Sequence, residues 1–329
     1  MNAGDPLDDG ATALRNRPIP RLPLGLRRPA SGRSIEPHHR RRRATALAIV
    51  AGLALLVGVL VGAGGGNGAR HHPHPPSGFF ARVQTLAGDN AGSFAYAQQA
   101  AENSAIDRTL ALTPYVRVAG AQHREIALTF DDGPGPFTPK VLSTLERESA
   151  PATFFEVGAL ERYFHDSTAA IVAKGFPIGD HTEAHAPMAK LSARDQQAQV
   201  LRQTSAVGAY NAPFPRMFRP PYGSWDNTTL RILRKYRMLM VLWTVDTSDY
   251  RMPGVTAIVD RAVSGARPGA IILMHDGGGN RSETVAALPR IIARLRAKGY
   301  QLVTVPRLLL DNPAQADQSI PASLVGAGR

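Results

Sequence analysis

Two adjacent carboxylates, Asp131 and Asp132, close the apolar run IALTF (126–130), and the chain then turns on Gly133 and Pro134. Mutual repulsion and loss of solvent both oppose that placement, so positive charge belongs beside them. Further on, HTEAH sets His181 and His185 four residues apart. On a helical turn that spacing puts both imidazoles on one side, able to grip one metal ion. By itself such a pair is more often a solvated or core feature; an aspartate arriving on the same rim changes the reading. Two imidazoles and one aspartate hold a divalent ion and keep a position open for water. One of the paired carboxylates is then a ligand, and its neighbour is free to accept a proton. Arg219 can neutralise and orient that second carboxylate, with a purely structural Arg–Asp pair as the plainer alternative.

These groups fall at one place in the pattern. His181 follows FPIGD, Arg219 follows RMF, Asp246 and Asp249 follow VLWTV, and His275 follows AIILM, each just beyond or at the end of a short apolar run. Such runs recur at 126–130, 152–158, 176–179, 216–218, 238–245, 270–274 and 301–305. Several are separated by helix-like stretches at 139–149, 192–209, 228–236 and 284–298. Non-alternating apolar strands interleaved with helices indicate a parallel sheet covered on both faces. The expected fold is α/β, a distorted parallel (β/α) barrel of about seven strands, with an open doubly wound sheet as the alternative. In either, the C-terminal strand ends share the face that carries the site.

TFDDGP, HTEAH, RPPY, DTSDY and LMH come in the order and style of the five motifs of the polysaccharide deacetylase family, carbohydrate esterase family 4, which residues 121–310 resemble. The resemblance implies a distorted (β/α) barrel and a divalent metal cofactor, zinc first. It implies Asp131 as catalytic base, Asp132, His181 and His185 as metal ligands, and Arg219 holding Asp131. Tyr222 would give its backbone N–H to the oxyanion on a loop shaped by Pro221. His275 would be the general acid, and Leu273 would line the acetyl pocket. Spacing alone leaves open whether Asp246 or Asp249 tunes His275; alignment to the motif favours Asp249. Two departures stand out. Tyr250 replaces a frequent Trp in the pocket wall, and Asp180 replaces a common Asn, which adds negative charge near the metal. Trp225 is a residue for stacking on a sugar or for the core.

The rest of the chain bounds the setting. A hydrophobic fraction of 43% supports a real core, and the absence of cysteine excludes disulfides, catalytic thiols and thiolate metal sites. Residues 1–43 carry ten Arg against Asp5, Asp8, Asp9 and Glu36, half of the net charge of +12. The positive charge is thus a terminal feature, and a nucleic-acid partner is not expected. After Arg40–Arg43, residues 44–63 contain no charge, and twenty residues span roughly 30 Å as a helix. They read as a single transmembrane helix with a disordered cytoplasmic tail before it and the remainder outside the cell. The VGA at 61–63 also resembles a signal-peptide cleavage site, and anchoring is the favoured reading. Residues 64–120 read as linker and juxtamembrane segment, with a helix at 92–107, and 311–329 as a loose tail. His71, His72 and His74 fit a solvated spacer better than a metal site.

The expected function is a membrane-anchored deacetylase acting on N-acetyl groups of a wall polysaccharide. Peptidoglycan amino sugars come first, chitin-type oligomers second and O-acetylated xylan third. The rival from another class is a catalytically silent glycan-binding module on the same barrel.

Overall fold

The computed structural model describes residues 91–319. The apolar segment 44–63, the basic tail and the histidine spacer lie outside them. Among the described residues no helix is long and apolar enough to cross a membrane.

Nine strands of the described residues form one sheet: β1 Tyr115–Val116, β2 Glu125–Gly133, β3 Thr153–Glu156, β4 Ile178–Asp180, β5 Met217–Phe218, β6 Leu239–Val241, β7 Val245–Asp246, β8 Ala270–His275 and β9 Gln301–Val303. Their order is β1-β6-β5-β4-β3-β2-β8-β7, with β9 beside the start of β2, and every strand pairing is parallel. The hydrogen-bonded path ends at β1 and β7 without joining them, which makes the barrel incompletely closed. Among the described residues nine helices accompany it: α1 Ala91–Leu112, α2 Thr138–Arg147, α3 Gly158–Tyr163, α4 His165–Ala173, α5 Ala193–Gly208, α6 Asn227–Lys235, α7 Val255–Ser264, α8 Ser282–Ala297 and α9 Val305–Asp311. Side chains mark some of their starts. Ser192 caps α5, and Asp226 and Thr229 form a reciprocal capping box on α6.

The strand count exceeds the seven expected for two reasons. The run 238–245 is two strands, because its backbone changes partners midway: Leu242 N–H donates to Val116, whereas Thr244 N–H donates to Ile271. Tyr115–Val116 is too short to show periodicity, yet it pairs with Met240–Val241. The fold also reaches past 121–310. Ala105 and Ile106 of α1 share a buried cluster with Leu308 and Leu309 of α9. Gln318 Oε1 accepts the Arg117 N–H at 2.9 Å.

Strand parity sorts the side chains. Ile126, Leu128 and Phe130 of β2 pack toward the helices with Phe154, Ile272 and Met274. Ala127, Phe155, Met217, Leu239, Val241, Ile271 and Val303 form a second, inner cluster. Thr129 and Asp131 share the parity of Ala127, and Leu273 and His275 that of Ile271. Inward placement of the polar groups at the strand ends therefore follows from a period of two.

The same parity sends Glu156 and Asp180, Cα partners on β3 and β4, outward beneath the helices. Both are fully buried, and burial pushes both carboxyls well above their usual range. Asp180 accepts the Thr182 N–H at 2.7 Å. The charge expected near the metal from its replacing Asn is directed beneath the helices instead, because its side chain leaves the barrel on that side. Nearby, burial raises Glu161 on α3 to about 8, although Gln203 Nε2 donates to its Oε1 at 2.6 Å. Glu161 stays protonated in the folded chain over a range where the unfolded chain ionises it. Stability contributed by the neutral form is complete below about pH 4.5 and is lost as pH rises toward 8. Glu161→Gln is expected to match the parent in urea unfolding at pH 5 and to exceed it by about 2–4 kcal/mol at pH 8. An equal difference at both pH values would contradict this.

Candidate active site

Asp131 sits level with His275 on β8, its Cα partner, and with Phe155 on β3. Its Oδ1 lies 2.7 Å from Arg219 Nη1. Arg219 is wholly buried: Nη1 also donates to Thr129 Oγ1, Nε donates to the Val241 carbonyl, and the guanidinium stacks 4.0 Å from the Phe155 ring centroid. A buried cation held this tightly keeps one Asp131 oxygen fixed, while Oδ2 faces His181 Nε2 at 3.9 Å.

Strict alternation would send Asp132 outward. Its φ of 66° breaks the alternation, and the β2–β3 register shifts between Asp131 and Gly133. Both carboxylates thereby reach the site. The turn is possible because Gly277 packs against it: a Cβ there would lie 1.9 Å from the Asp132 carbonyl oxygen. Asp132 Oδ1 is 3.3 Å from His181 Nε2 and 2.9 Å from His185 Nε2. The two histidines do not share a helical turn, as their spacing led one to expect. Residues 181–185 form a loop in which Thr182 and His185 take φ of 67° and 52°. The Asp180 carboxyl and Gln199, which accepts the Ala184 N–H, tie that loop down.

The protonation of these groups tests whether they fit a metal. His181 Nδ1 lies 2.6 Å from the Arg219 carbonyl oxygen, which has no proton to give, so Nδ1 carries the hydrogen and Nε2 is left to offer its lone pair. His185 Nδ1 is 3.0 Å from the Tyr222 hydroxyl, again leaving Nε2 toward Asp132. An ionised oxygen and two imidazole nitrogens, all within 4.8 Å of one another, make an electron-rich set that a cation satisfies. The residues fit a divalent ion.

Across the barrel mouth His275 is held by Asp249. Nδ1 is 2.7 Å from Asp249 Oδ1, the His275 backbone N–H donates to Oδ2 at 2.8 Å, and Thr284 donates to Oδ2 at 2.7 Å. Asp246 instead accepts the Ser248 N–H, so geometry gives the choice between the two acids to Asp249. Burial opposes charge on His275, yet the Asp249 carboxylate, with Asp132 and Asp131 further off, pushes its pKa up to about 9. For Asp249, burial is outweighed by His275 and Thr284, and its carboxyl is lowered.

A cavity of about 880 Å³ joins these groups, and Leu273, Tyr222 and Tyr250 line it. The Tyr250 ring stands edge-on to the His275 imidazole at 5.4 Å. Pro221 is buried, and next to it Tyr222 takes φ of 59°. Trp225 is not on this wall; it packs against Tyr115 in the core cluster of Phe218 and Met240. The tryptophan that does line the cavity is Trp243, with Arg117, Arg251 and Arg281. Trp243 was hidden inside an apolar run read as one strand, and an aromatic two residues past β6 was its signal.

The sequence profile of the polysaccharide deacetylase family matches residues 119–241. A chitooligosaccharide deacetylase of Sinorhizobium fredii is 36% identical over 201 residues, covering 57% of this chain and 94% of the relative. The chain belongs to the polysaccharide deacetylase family. Among solved structures of this family, a peptidoglycan N-acetylglucosamine deacetylase in complex with 4-naphthalen-1-yl-N-oxidanyl-benzamide is similar to it, with a TM-score of 0.59 and 31% identity over 61% of this chain and 95% of that one. A family pseudoenzyme from Bacillus anthracis is also similar, with a TM-score of 0.57 and 28% identity over 60% and 70% of the two chains. Polysaccharide deacetylases are hydrolases acting on the carbon–nitrogen bond of N-acetyl groups.

Proposed function

We propose that this chain is a metal-dependent deacetylase that removes N-acetyl groups from a cell-wall glycan, peptidoglycan amino sugars first and chitin-type oligomers second; removal of O-acetyl groups from xylan is the third alternative. One observation carries the reading: two held side chains, Asp131 on Arg219 and His275 on Asp249, flank the Asp132–His181–His185 donor set in a single cavity. A binding module has no use for that combination. The names of the similar proteins, chitooligosaccharide and peptidoglycan deacetylases, support the substrate class.

Asp132, His181 and His185 would hold the ion, zinc by preference for a His₂Asp set. Bound there, it supplies Lewis acidity toward the acetyl carbonyl and toward water. Asp131 takes the proton of the attacking water, with Arg219 holding and aiming the carboxylate. The Tyr222 N–H, on the loop fixed by Pro221, faces the developing oxyanion. His275, protonated below about pH 9, gives its Nε2 proton to the departing amine, which leaves poorly without it. Leu273 and Tyr250 enclose the acetyl methyl.

The test is acetate release from wall fragments by the full chain, with loss on chelation and recovery on adding zinc. Binding without acetate release would leave the silent-module reading. The segment at 44–63, following four arginines, supports a membrane anchor with the catalytic domain outside. Protease added to intact cells should then digest residues 64–329, and full protection would refute that topology.

A further inference from the structure

We infer that the glycan taken by this site carries a carboxylate close to the reacting sugar, and that Arg117 and Arg251 read it. The inference rests on the deacetylase reading of the cavity and adds a charge requirement to it. Three arginines stand on the cavity wall. Arg281 is buried and spent on its own loop, donating from Nε, Nη1 and Nη2 to the carbonyls of Gly277, Asn280 and Gly278. Arg117 is different. Its Nε donates to the Ser319 carbonyl and its Nη2 reaches Ser319 Oγ at 3.5 Å, which leaves Nη1 for a ligand. The half-buried guanidinium lies near another cation, Arg267, so the local potential is positive.

Arg251 is exposed, with its guanidinium 5.4 Å from the Tyr250 ring centroid, next to the wall of the acetyl pocket. Ser248 and Met252, both left-handed at φ of 51° and 52°, bracket the turn that presents Asp249, Tyr250 and Arg251 together. Among the described residues neither Arg117 nor Arg251 forms an ion pair. The one further acid on this wall, Asp246, is engaged with the Ser248 N–H. A neutral chain of N-acetylated sugars gives two guanidinium forks nothing to bind in kind. A carboxylate borne on a neighbouring sugar, as a lactyl ether or its peptide extension, matches their planar paired donors.

The experiment compares two tetrasaccharides by calorimetry: neutral N-acetylglucosamine, and one of equal length bearing lactyl-ether carboxylates on alternate sugars. The protein is the full zinc-loaded chain with His275→Asn, which stops turnover during titration. The charged ligand is expected to bind at least about tenfold tighter, with the advantage shrinking at 0.5 M salt. Adding Arg117→Gln and Arg251→Gln should erase the advantage and leave the neutral ligand's affinity unchanged, and Lys at both positions should restore part of it. Equal affinities, or a double variant that weakens both ligands alike, would overturn the inference. Acetate release by the parent chain from both ligands, followed in parallel, reports separately on the deacetylase reading, which fails if neither yields acetate.

Discussion

Asp131→Asn is expected to lower acetate release by at least about 10³-fold while zinc content stays near one per chain. The asparagine keeps an oxygen for Arg219 Nη1, whose present contact is 2.7 Å, but has no basic site for a proton. Buried Arg219 loses its counter-charge, so stability should fall by about 2–4 kcal/mol, and a thermal melt separates that from loss of chemistry. His181→Ala should behave otherwise. Nε2 of His181 is one of three donors, and its removal is expected to lose both turnover and bound zinc. Equal zinc loss in the two variants would show that the two carboxylates do not divide the work as argued.

The second large effect is on pH. The Asp249 carboxylate is the main influence raising His275 to about 9 against its burial. In Asp249→Asn only Asp132 and Asp131, further off, still oppose burial, and the imidazole falls back toward its ordinary 6.5. A general acid must be protonated, so the alkaline limb of the rate should move from about pH 9 toward about 6.5. At pH 8 the rate should fall roughly thirtyfold, and most of it should return at pH 6. A loss of equal size at both pH values would mark Asp249 as a structural support.

Much of this site was legible because it obeys simple periods. Asp131, Leu273 and His275 face inward by strand parity, and Arg219 follows a strand that pairs beside β4. What was hidden depends on single dihedrals and long-range pairing. The φ of Asp132, which brings adjacent carboxylates to one site, has no signature beyond the following Gly133–Pro134. The loop that joins His181 and His185 imitates helical spacing without a helix, because Asp180 and Gln199 shape it through contacts distant in sequence. Asp180 looked like charge for the metal and instead lies beneath the helices with its carboxyl raised by burial, a difference decided by which face of β4 it leaves from. Tyr115–Val116 joins the sheet through two residue pairs with β6, too few to leave a pattern.

The most direct measurement is X-ray absorption at the zinc edge on the full chain loaded with one equivalent of zinc. The account predicts two imidazole nitrogens and one carboxylate oxygen at about 2.0–2.2 Å, with that shell lost in His185→Ala as in His181→Ala. A zinc shell without histidine, or one unchanged by His185→Ala, would contradict it.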